Sequence, residues 1–243
     1  MACENCKSGF KWDGKPTGSE AKLAGLDTYI TGTSKSAAVL IVHDIFGWTF
    51  NNARLLADHF AKEANATVYL PDFFGGEVVG EDVLDDEEKR KAFDLPGFLA
   101  RNSKDARWDS IKASAKELKS QYPKVAAMGY CYGGWGIVRL GADPTLIDAV
   151  ATAHPSLVEK SEFDAVKVPI QLLAPENDHT YSPEMKEYSI KTLTDNKVPF
   201  EYIYFPGLTH GFATRGDQTD KVQKDGLEKA KRGAVNFFNE YLH

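Results

Sequence analysis

The chain has 243 residues, 42% of them apolar and 26% charged, and a formal net charge of −6. That length allows one large α/β domain with a well-buried core. The negative balance argues against general affinity for nucleic acid or an anionic membrane surface.

No apolar run approaches the about 20 residues that cross a bilayer. The polar start Met1-Ala2-Cys3-Glu4-Asn5-Cys6-Lys7 lacks a secretory apolar stretch. The final Tyr241-Leu242-His243 matches no anchoring or peroxisomal signal. Three cysteines are too few for a disulfide framework, so a cytoplasmic, reducing location is expected.

Residues 1–25 are rich in Gly, Lys and Ser and read as an N-terminal arm; residues 26–243 read as a single domain. Strands are predicted at Leu26–Thr31, Ala37–Val42, Thr67–Leu70, Val125–Tyr130, Ala149–Ala153, Ile170–Ala174 and Phe200–Phe205. Several are near-continuous apolar runs, as strands buried on both faces should be. Trp108, Ile111, Ala115, Leu118 and Tyr122 share one helical face, and Pro123 ends that helix. Ser182-Pro183-Glu184 reads as an N-cap, a proline at N1 and an acid in the first turn. Leu227, Ala230, Ala234, Phe237 and Tyr241 form the apolar face of a C-terminal helix. Strands alternating with helices predict a doubly wound, mostly parallel sheet, with the site at the carboxyl ends of its strands.

The stretch Val125-Ala126-Ala127-Met128-Gly129-Tyr130-Cys131-Tyr132-Gly133-Gly134-Trp135 is an apolar strand ending in a Gly-X-Cys-X-Gly-Gly turn. This is the pattern of a nucleophile elbow, with cysteine where most carry serine. Its glycines leave room where a Cβ would clash, and the following helix N-terminus favours a thiolate and a developing oxyanion. The plainer alternative is a glycine-rich turn holding a buried thiol.

A cysteine nucleophile needs a base, and the base an orienting group. The strand Ile170–Ala174 leads into Pro175-Glu176-Asn177-Asp178-His179, and Phe200–Phe205 into Pro206-Gly207-Leu208-Thr209-His210-Gly211-Phe212. Cys131, Asp178 and His210 therefore follow the chain order nucleophile, acid, base of α/β-hydrolases. Glu176 is the rival acid, and His179, adjacent to Asp178, should point elsewhere. Leu40-Ile41-Val42-His43-Asp44-Ile45-Phe46-Gly47 ends another strand. Ile45 is the candidate donor of one oxyanion-hole amide, paired with that of Tyr132. Asp44 is placed to modulate the thiol, or simply to cap its loop. His154, after a further strand, is a candidate contact for a substrate carboxylate or carbonyl, or a packed structural histidine. Trp135, Phe46, Trp48, Phe73 and Phe74 are candidates to line an aromatic-selective pocket or to fill the core.

Taken together, Val42-His43-Asp44-Ile45-Phe46-Gly47, Pro71-Asp72-Phe73-Phe74, the Cys131 elbow, Asp178-His179 and His210-Gly211-Phe212 resemble the dienelactone hydrolase family over roughly residues 25 to 243. The Cys3-to-Cys6 start and Ala153-His154-Pro155-Ser156 resemble its fungal branch. The resemblance implies hydrolysis of an enol-lactone or similarly activated ester by a Cys–His–Asp triad. It also implies that the carboxylate at Asp44, a glutamate in the bacterial enzymes, pairs with the cysteine and switches it on when substrate arrives. Arginines hold the substrate carboxylate in those enzymes; Arg215 and Arg90 are the candidates here, with a solvated surface arginine as the plain alternative for each.

The expected partner is a small lactone or ester, anionic or aromatic, acting on a monomer or homodimer without a cofactor. Cys3 and Cys6 have zinc-like spacing but no second ligand pair, which favours a redox pair or spare thiols. A thioesterase or carboxylesterase of secondary metabolism, a thiol redox sensor using Cys131, and a silent binding module are the rival functions.

Overall fold

The computed structural model describes residues 9–243. Cys3 and Cys6 lie outside the described residues. Eight strands make one sheet: β1 (Ser19–Leu23), β2 (Leu26–Thr31), β3 (Ala37–Val42), β4 (Thr67–Pro71), β5 (Lys124–Tyr130), β6 (Ala149–Ala153), β7 (Ile170–Asn177) and β8 (Phe200–Thr209). Their order is β1-β2-β4-β3-β5-β6-β7-β8, parallel from β4 to β8 and antiparallel at β1–β2 and β2–β4. Every residue of β3, β4 and β6 is buried, which explains their near-continuous apolar sequences.

The helices are α1 (Asn51–Glu63), α2 (Asp82–Asp85), α3 (Glu87–Ala92), α4 (Leu95–Arg101), α5 (Lys104–Gln121), α6 (Gly133–Leu140), α7 (Lys160–Asp164), α8 (Pro183–Asp195), α9 (Phe212–Arg215) and α10 (Lys221–Leu242). α1, α9 and α10 pack together, as do α5 with α6, α6 with α7, and α7 with α8. This is the two-layered cover of a doubly wound sheet. α5 buries Ile111, Ala115 and Leu118, and the extended Tyr122 before Pro123 ends it. The Ser182 hydroxyl accepts the Met185 amide 3.2 Å away and starts α8 at Pro183. Among the described residues, no helix is long and apolar enough to cross a membrane.

The arm contributes more than a cover. Ser19–Leu23, which the sequence pattern leaves in the arm, pair with β2 as an edge hairpin. Only Leu23 of the five is buried, so the strand carries no alternating apolar signal. Its turn, Ala24-Gly25, has two positive φ values, 49° and 81°, as a tight hairpin requires. Further back, Trp12 enters the core, and its indole N–H donates to the Gly216 carbonyl at 2.9 Å. The buried Asn52 amide joins the arm to α9: its oxygen accepts the Trp12 N–H, and its nitrogen donates to the Phe10 and Thr214 carbonyls. β7 and β8 run beyond their apolar cores into the acid and histidine loops, and their register breaks between Pro175 and Asn177.

Candidate active site

β5 delivers Cys131 with φ at +49°, a strained value for a residue bearing a Cβ. The surrounding backbone holds that strain. The Cys131 N–H donates to the Ala153 carbonyl at 3.3 Å, and its carbonyl accepts the Gly134 and Ser156 amides at 3.0 and 2.8 Å. A Cβ at Gly133 would collide with the Val42 carbonyl, and one at Gly134 with Pro155. The elbow can therefore sit tightly between β3 and the loop after β6 only with glycine at both positions. Cys131 is buried.

Asp178 and His210 meet across the ends of β7 and β8, with His210 Nδ1 2.9 Å from Asp178 Oδ2 and both side chains fully buried. The other carboxylate oxygen accepts the Thr180 amide at 2.9 Å, the Thr180 hydroxyl at 2.8 Å and the Tyr181 amide at 3.1 Å. Burial alone would raise the Asp178 pKa, but hydrogen bonds from His210 and Thr180 hold it well below the usual carboxylate range. Burial alone would lower His210, but the neighbouring Cys131 sulfur and the Asp178 carboxylate outweigh it and push the imidazole up to about 10. Among the described residues, His210 Nε2 makes no hydrogen bond of ordinary geometry, and the Cys131 sulfur is its electrostatic neighbour. Lys186 fastens the acid loop from behind, donating to the Pro175 and Glu176 carbonyls. Glu176, the rival acid, is exposed and accepts the Gly207 amide at 2.6 Å; His179 is also exposed.

Asp44 follows β3. One oxygen accepts the Phe46 amide at 3.0 Å, the turn-capping contact weighed from sequence. The other pairs with the Arg215 guanidinium and accepts the Thr214 hydroxyl at 3.1 Å. Arg215 is neither a surface arginine nor open to solvent: it is 2% exposed, with its guanidinium 5.0 Å above the Phe46 ring. Arg90, on α3, donates to the Val83 and Leu84 carbonyls and so braces α2. The Ile45 and Tyr132 amides donate to no other described residue, whereas the Ile45 carbonyl accepts from Val79.

His154 is wholly buried with φ at +39°, and its ring meets the His210 ring edge-to-face at 4.9 Å. Among the described residues, neither ring nitrogen has a hydrogen-bond partner. Burial, reinforced by the nearby His210 and Arg215, lowers its pKa well below the usual value, so the ring is neutral at pH 7. Trp135, a pocket candidate by sequence, is instead enclosed in the helical layer, against Tyr132 and Trp108 with Arg139 5.1 Å over its ring. Phe46 is buried against Phe50. Phe74 packs edge-on to His43 and Tyr132 beside the elbow.

Two hydroxyls that sequence reasoning passed over lie among these groups. Thr180 touches both Asp178 and His210, and Ser156 lies 3.5 Å from the Cys131 sulfur. The Asp-x-Thr spacing, an Asx-turn signature, would have found Thr180. Nothing in the spacing of Ser156 would have.

The family model for the dienelactone hydrolase family matches residues 26–242. Hydrolase tropI of Talaromyces stipitatus is 31% identical, covering 98% of this chain and 95% of its own length. Dienlactone hydrolase 1 of Gibberella moniliformis is 27% identical, covering 98% and 93%. A Klebsiella pneumoniae protein solved as a candidate dienelactone hydrolase superposes with a TM-score of 0.73 at 14% identity, over 93% of this chain and 99% of that one, and so supports the α/β-hydrolase fold alone. The chain belongs to the dienelactone hydrolase family and is an ester or lactone hydrolase.

Proposed function

We propose that the protein hydrolyses a small enol-lactone or comparably activated ester through a Cys131–His210–Asp178 triad and a thioester acyl-enzyme. The observation that carries this reading is the buried 2.9 Å contact between Asp178 and His210 Nδ1, which leaves Nε2 for the thiol held at the strained elbow. Asp178 fixes the tautomer with Nδ1 protonated and stabilises the imidazolium. In the resting pair the Cys131 proton lies on Nε2, in keeping with the raised His210 pKa, and the thiolate attacks the acyl carbon. The carbonyl electron pair moves onto oxygen, to which the Ile45 and Tyr132 amides donate hydrogen bonds; losing one such donor costs about 3 kcal/mol of barrier. Collapse expels the enolate or alkoxide, which takes the Nε2 proton. Nε2 then deprotonates a water that attacks the thioester, and the thiolate leaves.

A thiolate is the better leaving group against an ordinary alkoxide, so an enol or similarly acidic alcohol on the substrate favours forward collapse. Asp44 serves this chemistry by holding Arg215 and shaping the Ile45 loop. Steady-state hydrolysis of a cis-dienelactone, p-nitrophenyl acetate and an acyl thioester by wild type and Cys131→Ala tests the proposal. Turnover that depends on Cys131 supports it, and equal turnover by both proteins rejects it.

A further inference from the structure

We propose that Ser156 is a catalytic residue, a switching hydroxyl that stabilises the Cys131 thiolate and joins the nucleophile to the acid–base pair by a second route. The inference rests on the reading of Cys131 as nucleophile. Ser156 Oγ lies 3.5 Å from Cys131 Sγ and 3.2 Å from Thr180 Oγ1. Thr180 Oγ1 is in turn 2.8 Å from Asp178 Oδ1 and 3.0 Å from His210 Nδ1. A chain of polar groups thus leaves the sulfur, passes two hydroxyls and returns to the Asp178–His210 pair.

Donor accounting gives the chain two states. Thr180 has one hydroxyl proton, and the Asp178 carboxylate is its strongest acceptor. Thr180 Oγ1 is therefore an acceptor toward Ser156. While Cys131 is a thiol, S–H donates to Ser156, and Ser156 donates to Thr180. Once the proton has moved from Sγ to His210 Nε2, the sulfur is an acceptor only. A rotation of the Ser156 hydroxyl then points its proton at the sulfur. The contact exists in both states but is charge-assisted only in the second, so it favours the thiolate.

The backbone prepares the position. The Ser156 amide already donates to the Cys131 carbonyl at 2.8 Å, and the positive φ of His154 turns the chain back over the elbow. Ser156 is 6% exposed, so its hydroxyl acts where water screens little. The other titratable groups around the elbow are His210 with Asp178, the neutral His154, the Asp44–Arg215 pair and the buried Tyr130 phenol. A serine replacement leaves all of them in place.

The test is the pH dependence of Cys131 alkylation by iodoacetamide, followed by intact mass, together with kcat/KM on the substrate panel. Ser156→Ala and Ser156→Gly both remove the hydroxyl and keep the amide, and either folded variant suffices. The midpoint for alkylation is expected to rise by about one pH unit, with alkylation below the midpoint and kcat/KM falling about tenfold. Ser156→Thr retains the hydroxyl and is expected to restore the wild-type midpoint, which a loss of packing alone would not require. A midpoint unchanged in Ser156→Ala, with Cys131-dependent turnover intact, overturns the role of Ser156 and leaves the triad standing. Turnover that survives Cys131→Ala overturns both.

Discussion

Asp178→Asn is a sharp perturbation because the four contacts of this carboxylate are unevenly divided. Oδ1 faces three donors, the Thr180 amide, the Thr180 hydroxyl and the Tyr181 amide, whereas Oδ2 faces only His210 Nδ1. An asparagine must put its NH2 on one side. Turned toward Thr180 and Tyr181, it opposes three donors; turned toward His210, it opposes one, and the imidazole can answer by moving its proton to Nε2. The second arrangement wins. The histidine then presents N–H to the thiol and cannot accept its proton, while the negative charge that stabilised the imidazolium is gone. The wrong tautomer in a triad costs about 10⁴ in kcat, so Asp178→Asn is expected to lose three to four orders of magnitude in kcat/KM on an enol-lactone. Its fold, checked by near-ultraviolet circular dichroism and thermal melting, should survive, since the three Oδ1 contacts remain. A folded Asp178→Asn enzyme within tenfold of wild type would refute the assignment of Asp178 as the orienting acid.

Three further outcomes are expected. His210, pushed up to about 10, holds a positive charge that is lost as pH rises through that value, so kcat/KM should fall on the alkaline side with a midpoint near 10. The same raised pKa stabilises the fold fully below the unfolded value of about 6.5, and that contribution disappears toward pH 10; an NMR titration should find the His210 midpoint lower in Cys131→Ala. Asn52→Ala leaves the Trp12 amide and the Phe10 and Thr214 carbonyls without their buried partner, and urea unfolding should show a loss of about 2–4 kcal/mol. Asp44→Asn removes the carboxylate that pairs with the buried Arg215, at a cost of about 3–5 kcal/mol. Adding Arg215→Met should recover part of it, and strictly additive losses would contradict a direct pair.

The parts of this molecule that are legible from sequence are those governed by short-range periodicity and turn chemistry. β3 and β6 are visible because burial on both faces makes them near-continuous apolar runs. The elbow is visible because only glycine fits against Val42 and Pro155. Asp178 and His210 are conspicuous as polar residues just beyond strand ends, but that Asp178 meets His210 while Glu176 turns to the Gly207 amide depends on loop geometry past the register break between β7 and β8, which spacing does not report. β1 is hidden because four of its five residues are exposed. Arg215 resembles a surface residue in sequence, but it is buried and pairs with Asp44, 171 positions away. Trp135 resembles a pocket aromatic until α5 and Arg139 are seen to enclose it. Ser156 reaches the thiol only through the positive-φ turn at His154, a conformation that no residue pattern announces.

The central claim is that Cys131 carries the acyl group, and rapid-quench intact-mass spectrometry with peptide mapping tests it most directly. Mixing the enzyme with excess p-nitrophenyl acetate and quenching in acid during turnover should reveal one added acetyl group on the peptide containing Cys131. That adduct should be absent from Cys131→Ala and should accumulate in a variant slowed in deacylation. An acyl group found on another residue, or turnover that proceeds unchanged in Cys131→Ala, would contradict it.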